Sequence, residues 1–110
     1  MTIFEKIINK EIPADIVYED DNVIAFRDIQ PQAPIHILIV PKKPIATIQE
    51  VPAEDLWLIA EMVKAAQKIA DKLQIDGYRL VINNGKIATQ AVFHVHMHML
   101  AGRQLSGTLG

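Results

Sequence analysis

Val92-Phe93-His94-Val95-His96-Met97-His98-Met99-Leu100 alternates histidine with apolar residues and reads as a strand over residues 92–100. Successive side chains on a strand point to opposite faces. His94, His96 and His98 are therefore expected on one face, and Phe93, Val95, Met97 and Met99 on the other, which suits a core. The stretch just upstream decides how this strand is used. Residues 84–91 read as a loop and residues 78–83 as a further strand, so two strands adjoin with no helix between them.

Further upstream lies a long helix. Pro52 suits a first helical turn, and Glu54 and Asp55 suit the positive end of the helix dipole. Leu56, Ile59, Ala60, Val63, Ala66, Ala70 and Leu73 make an apolar stripe at 3.6 spacing, and Asp76-Gly77 supplies the stop. The first half repeats the pairing of strands. Thr2 and Glu5 form a capping box that starts a short helix carrying Ile3, Phe4, Ile7 and Ile8, which Pro13 ends. Residues 16–19 and 23–28 read as strands joined by the polar turn Glu19-Asp20-Asp21-Asn22, a hairpin. Residues 28–34 hold two prolines and read as a loop. Residues 36–40 read as a buried strand with one anomalous member, His36. Strands that run in adjacent pairs, with helices set apart, point to an α+β fold built on an antiparallel sheet.

Bulk properties narrow the function. A length of 110 residues is one domain, and half of them are apolar, enough for one core. The net charge of -2 offers no field for a nucleic-acid backbone. No cysteine is present, which excludes disulfides and thiolate metal sites and fits a cytoplasmic setting. The start of the chain mixes charged and apolar residues, unlike a signal peptide, and the densest apolar run, residues 35–41, is too short to span a bilayer. No nucleic-acid or membrane partner is expected.

Three histidines on one packed face would be costly to bury without partners, so the face is better read as a cleft. On a straight strand His94 and His98 lie roughly 13 Å apart at Cα. Ligand nitrogens must come within about 2.1 Å of zinc, so the three can hardly converge on one ion; two neighbours could share one only with His36 or a carboxylate completing the set, and no metal is expected. Acid–base and nucleophilic chemistry fits better. One imidazole can attack phosphorus while a neighbour orients it and another holds an oxygen.

His94-Val95-His96-Met97-His98-Met99-Leu100 resembles the signature of the histidine triad (HIT) superfamily. Several other segments resemble its Hint branch of nucleotide-binding proteins: Ile3-Phe4-Glu5-Lys6-Ile7-Ile8, Glu11-Ile12-Pro13-Ala14, Phe26-Arg27-Asp28-Ile29, Pro31-Gln32-Ala33-Pro34, His36, Val40-Pro41-Lys42-Lys43 and Gly102-Arg103-Gln104. The resemblance implies a HIT-like fold: a five-stranded antiparallel sheet with one long and one short helix, the sheet extended across a homodimer. It implies hydrolysis of purine nucleoside phosphoramidates, without a cofactor, with AMP or GMP bound. The alternative is a slow or non-catalytic nucleotide-binding regulatory module.

Carried over by position, His96 is the nucleophile, His98 holds the phosphate, and His94 and His36 orient and polarise His96. Asp28 takes the ribose hydroxyls. Ile3, Phe4, Ile7, Phe26 and Ile29 line the base pocket with Arg27 at its edge. Asn83, Gln90 and Ala91 meet the phosphate or leaving-group side. Two positions depart from the family pattern. Thr89 stands where the family has glycine, and Ala91 stands where it has a hydroxyl residue, leaving only the backbone N–H of Ala91 as a donor.

Overall fold

Thr2 opens the first helix, α1 (Ile3–Ile8), as the sequence predicts. Its side chain accepts the Glu5 N–H while the Glu5 carboxylate accepts the Thr2 N–H. The computed structural model describes all of residues 1–110. After α1 come β1 (Ile16–Glu19), β2 (Val23–Arg27) and β3 (Ile35–Pro41). Next is α2 (Trp57–Leu73), then β4 (Arg79–Val81) and β5 (Met97–Ala101). The strands form one sheet in the order β1-β2-β3-β5-β4, with every pairing antiparallel. The expected α+β architecture of five antiparallel strands, one long helix and one short one is the observed one.

The period-2 alternation of the strands sorts their side chains between two layers. Val23, Ala25, Ile37, Ile39, Met97 and Met99 face α2 and pack with its Met62, Ala65, Ala66, Ile69 and Ala70. Ile24, Phe26, Leu38 and Val40 face the other way and pack with Phe4 and Ile7 of α1. Complete burial of side chains such as Ile37, Ile39 and Met99 stabilises the fold by about 1.5–3 kcal/mol each. His36 and His98 alternate with the α2-facing residues and so fall on the α1 side, where α1 covers only part of the sheet.

Three expectations need correction. The buried face of α2 is Leu58, Met62, Ala65, Ala66, Ile69 and Ala70. Of the predicted stripe, Leu56 and Ala60 are exposed, and Ile59, Val63 and Leu73 are half-buried. The helix is apolar on two overlapping stripes, and packing against the sheet selects the one containing Met62. Pro52 and Ala53–Asp55 form a 3₁₀ turn rather than the first α-turn, with Lys43 Nζ 2.6 Å from Asp55. Finally, α2 stops at Gln74, which adopts a left-handed conformation (φ 55°) and donates its N–H to the carbonyls of Ala70 and Asp71, so Asp76-Gly77 lies beyond the cap.

Candidate active site

β3 and β5 bring the first two imidazoles together. Their register sets His36 opposite Leu100 and Leu38 opposite His98, so the two histidines are diagonal neighbours on one face. Their ring centres are 5.2 Å apart. The expected strand over residues 92–100 begins only at Met97. His94 and His96 lie on the bend that precedes it, for two reasons. The Val95 N–H donates to the Ile45 carbonyl at 2.7 Å, which ties the chain to a loop outside the sheet. The His94 carbonyl accepts Nδ1–H of His96 at 2.7 Å, which removes it from any strand ladder. The three histidines therefore do not stand in one row. His96 and His98 lie side by side, ring centres 5.1 Å apart. The His94 ring turns into the interior, 1% exposed, and donates Nε2–H to the Pro41 carbonyl at 2.7 Å. Its Nδ1 has no partner. Phe93, expected in the core with Val95, Met97 and Met99, is 39% exposed because it sits on the same bend.

The hydrogen-bond network fixes where each proton sits, because a peptide N–H can only donate and a carbonyl can only accept. His96 donates through Nδ1, so its Nε2 carries the free lone pair. The Gln32 N–H donates to Nδ1 of His36 at 2.9 Å, so His36 is protonated on Nε2. That Nε2–H points at Nδ1 of His98, 2.9 Å away, with the Asp28 carboxylate 3.4 Å to the side. His98 Nδ1 is thus an acceptor, and its remaining proton is on Nε2. The cluster presents one bare nitrogen on His96 beside one N–H donor on His98. His36 is hydrogen-bonded to His98 and not to His96. His94 positions His96 through its backbone carbonyl, while its ring anchors the bend to the end of β3.

A cleft of about 280 Å³ opens over this pair, lined by His36, His96, His98, Asn83, Ala91 and Thr89, with Gln32, Val81 and Leu100 around them. Five of the residues expected at the site thus meet here. Gln90 does not. It is 4% exposed, its Nε2 donates to the carbonyls of Ala46 and Val92, and its Oε1 accepts the Gly85 N–H. Both ends of the amide are spent holding the 85–92 loop, so Gln90 has nothing left for a phosphate. Phe4, Ile7 and Phe26 are closed into the α1 core rather than lining an open slot. Phe4 packs edge-on against the His96 ring at 4.9 Å between centres and so backs that imidazole. Ile29 and Ile3 are exposed, at 91% and 48%. Arg27 reaches Asp15 at 3.4 Å. Asp28 caps its own loop, Oδ1 accepting the Gln30 N–H while Oδ2 faces His36. Gln32 was not expected in the cleft, since its role is made by its backbone, which side-chain type does not report. Thr89 holds the positive φ (66°) that its unusual place in a glycine position implies, and its hydroxyl donates to the Ala88 carbonyl. A larger cavity of about 520 Å³, between Leu73–Arg79 and Gly102–Leu105, contains no histidine.

Donor atoms of Asp28, His36 and His98 lie within 4.8 Å of one another, a group drawn from β3, β5 and the loop after β2. A cation there would have to displace the proton shared by His36 and His98. Burial pushes the pKa of all four imidazoles below the ordinary 6.5, and the neighbouring rings His96 and His36 help bring His98 down to about 4. At neutral pH the cluster is uncharged, as its proton positions require. The sign for stability follows. Well above pH 6.5 these imidazoles are neutral in both the folded and the unfolded chain. As pH falls below that, the unfolded chain takes up protons that the folded cluster refuses, so stability drops until the folded groups titrate, near 4 for His98. The thermal midpoint is expected to fall steadily between about pH 7 and pH 4.5 in calorimetry. A flat midpoint over that window would contradict these proton positions.

Residues 9–105 match the HIT domain family. The chain belongs to the HIT family. It is 53% identical over 110 residues to the purine nucleoside phosphoramidase of Escherichia coli K12, covering 98% of this chain and 92% of the relative. An uncharacterised HIT-like protein of Synechococcus elongatus is 52% identical over 106 residues, covering 96% and 93%. Among solved structures, a HIT family hydrolase from Legionella pneumophila superposes with a TM-score of 0.94 at 48% identity, covering all of both chains. One from Clostridium thermocellum gives 0.95 at 44%, covering 98% and 96%. No helix of this HIT protein is long and apolar enough to cross a membrane.

Proposed function

We propose that this HIT protein hydrolyses purine nucleoside phosphoramidates of the adenylyl-lysine kind through a nucleotidyl-His96 intermediate. The observation that carries the reading is the bond from Nδ1–H of His96 to the His94 carbonyl, which leaves Nε2 unprotonated at the cleft. The relationship to the Escherichia coli phosphoramidase supports a nucleotide hydrolase and favours this substrate class. In the first step, the Nε2 lone pair forms a bond to phosphorus. The P–N bond breaks with its electron pair on the leaving nitrogen, which takes up a proton from water on the Ala91 side, where no hydroxyl stands. Nε2–H of His98 donates to a non-bridging phosphate oxygen and stabilises the charge that gathers there. In the second step, water attacks phosphorus and gives a proton to the hydroxide left by the first step, the P–Nε2 bond breaks with its electron pair on Nε2, and the nucleoside monophosphate leaves with His96 restored.

Asn83 and the Ala91 N–H take the phosphate or leaving-group side. Asp28 takes the ribose hydroxyls, for which the partly exposed carboxylate has capacity. Exposed Ile3 and Ile29 form the apolar contact for the purine, with Arg27 at the edge and Phe4, Ile7 and Phe26 as the wall behind. The reaction needs no cofactor and no metal. A homodimer fits two exposed features, the half-exposed pair Leu56 and Trp57 at the start of α2 and the free edge of β4. A cytoplasmic setting fits the absence of cysteine. The test is a turnover panel of AMP and GMP phosphoramidates against diadenosine polyphosphates, with and without a chelator. Phosphoramidates are expected to turn over fastest, indifferent to chelator. Preference for the dinucleotides, or loss of activity restored by zinc, would overturn the reading.

A further inference from the structure

The proton order of the cluster starts outside it, at a backbone amide. The Gln32 N–H is what makes Nδ1 of His36 an acceptor, and every later assignment along His36 and His98 depends on it. Gln32 sits in the loop between β2 and β3, whose base is closed by the Asp28 N–H bonding to the His36 carbonyl at 2.9 Å. Pro31 and Pro34 offer no N–H, so the loop has few backbone donors of its own to brace it. What braces it comes from the other end of the chain. Nη2 of Arg103 donates to the Gln32 carbonyl at 3.0 Å, and Nη1 donates to the Gln104 carbonyl at 3.0 Å. The preceding residue is Gly102, at φ +96°. A Cβ there would stand 2.9 Å from Cβ of Pro34 and 3.3 Å from the Ile35 nitrogen. The turn after β5 therefore presses on the loop at Pro34 and grips it at Gln32.

We infer that Arg103 is a positioning residue: by gripping the Gln32 carbonyl while the N–H of the same residue meets Nδ1 of His36, it holds Gln32 in place, sets the tautomers of His36 and His98 and so keeps the Nε2–H of His98 aimed into the cleft. Asp28 and His98 are the other polar groups that face His36. Asp28 favours the same Nε2–H form from 3.4 Å, so Arg103 reinforces a preference rather than creating it alone. When the Gln32 N–H drifts away, the proton of His36 gains a second place on Nδ1. Nε2 of His36 then becomes an acceptor, the His98 proton turns inward to Nδ1, and the cleft loses its donor. The side chain of Arg103 is exposed, so removing its head opens no cavity.

The spectroscopic arm of the test needs no substrate; only the kinetic arm rests on the phosphoramidate reading. Imidazole nitrogen shifts of the ¹⁵N-histidine-labelled chain report the tautomer of each ring. In the unaltered chain His36, His94 and His98 are expected in the Nε2–H form and His96 alone in the Nδ1–H form. Arg103→Met, which keeps the apolar stem, is expected to give mixed tautomers at His36 and His98 while leaving His96 unchanged. It should lower kcat on an AMP phosphoramidate roughly 10- to 100-fold, with KM little altered. Arg103→Lys, which can still reach one carbonyl, is expected to restore both signals in part. Unchanged tautomers at His36 and His98 in Arg103→Met would overturn the inference whatever the kinetics. Mixed tautomers with undiminished kcat would uphold the clamp and overturn the part given to His98 in turnover.

Discussion

Replacing His96 with alanine is expected to lower kcat on an AMP phosphoramidate by roughly 10⁴-fold or more, while AMP still binds. The size of the effect follows from the site's design. His96 is the imidazole whose free lone pair is Nε2, because its Nδ1–H is committed to the His94 carbonyl. His98 stands beside it but presents a proton, and His94 is buried with its ring bonded to Pro41. No neighbour can therefore take over the attack. Residual turnover would come from water attacking a phosphate still held by the Nε2–H of His98. His96 is 7% exposed and packs on Phe4 of the α1 core, so the substitution also opens a cavity there, and a denaturation midpoint of the variant separates that cost from the loss of chemistry. The check is steady-state turnover paired with calorimetric titration of AMP. Loss of AMP binding in parallel would assign His96 to binding rather than to bond-making.

The second large effect concerns stability. Gln90→Ala is expected to cost about 3 kcal/mol, since it deletes three buried hydrogen bonds and leaves the Gly85 N–H and the Ala46 and Val92 carbonyls in want of partners. The bond to Ala46 joins the 85–92 loop to the segment before α2, the other two brace the loop itself, and that loop carries Thr89 and Ala91 into the cleft. Chemical denaturation should show the loss in the midpoint without a change in slope. The catalytic penalty should be mostly reversible by stabilising conditions. A variant of unaltered stability with impaired KM would mean instead that Gln90 meets the substrate.

The fold could be read in the sequence where its causes are local. The Thr2–Glu5 capping box, the buried strand read over residues 36–40, the alternation from Met97 to Leu100 and the paired strands all carry over, as does the placing of His98 opposite the Met97–Met99 face. What was not legible depends on partners distant in sequence. The start of β5 is set by the Val95–Ile45 bond, which nothing in residues 92–100 announces. The buried face of α2 is chosen between two apolar stripes by the sheet it meets. Gln90 is a polar residue beside the cleft, and only its bonds to the Gly85 N–H and the Ala46 and Val92 carbonyls reveal that its amide faces inward. His36 stands out in the sequence as a histidine in a buried strand, but only the β3–β5 register shows that its ring bonds to His98. Gln32 and Arg103 act through the backbone of the proline-flanked loop, where residue type is least informative.

The most direct measurement is mass spectrometry of the protein quenched during turnover of an AMP phosphoramidate, followed by mapping of the modified peptide. Accumulation of one adenylyl group on His96, absent from the His96→Ala variant and discharged by water to AMP, is the predicted result. Turnover that proceeds with no adduct at any quench time, or an adduct on His98, would contradict the account.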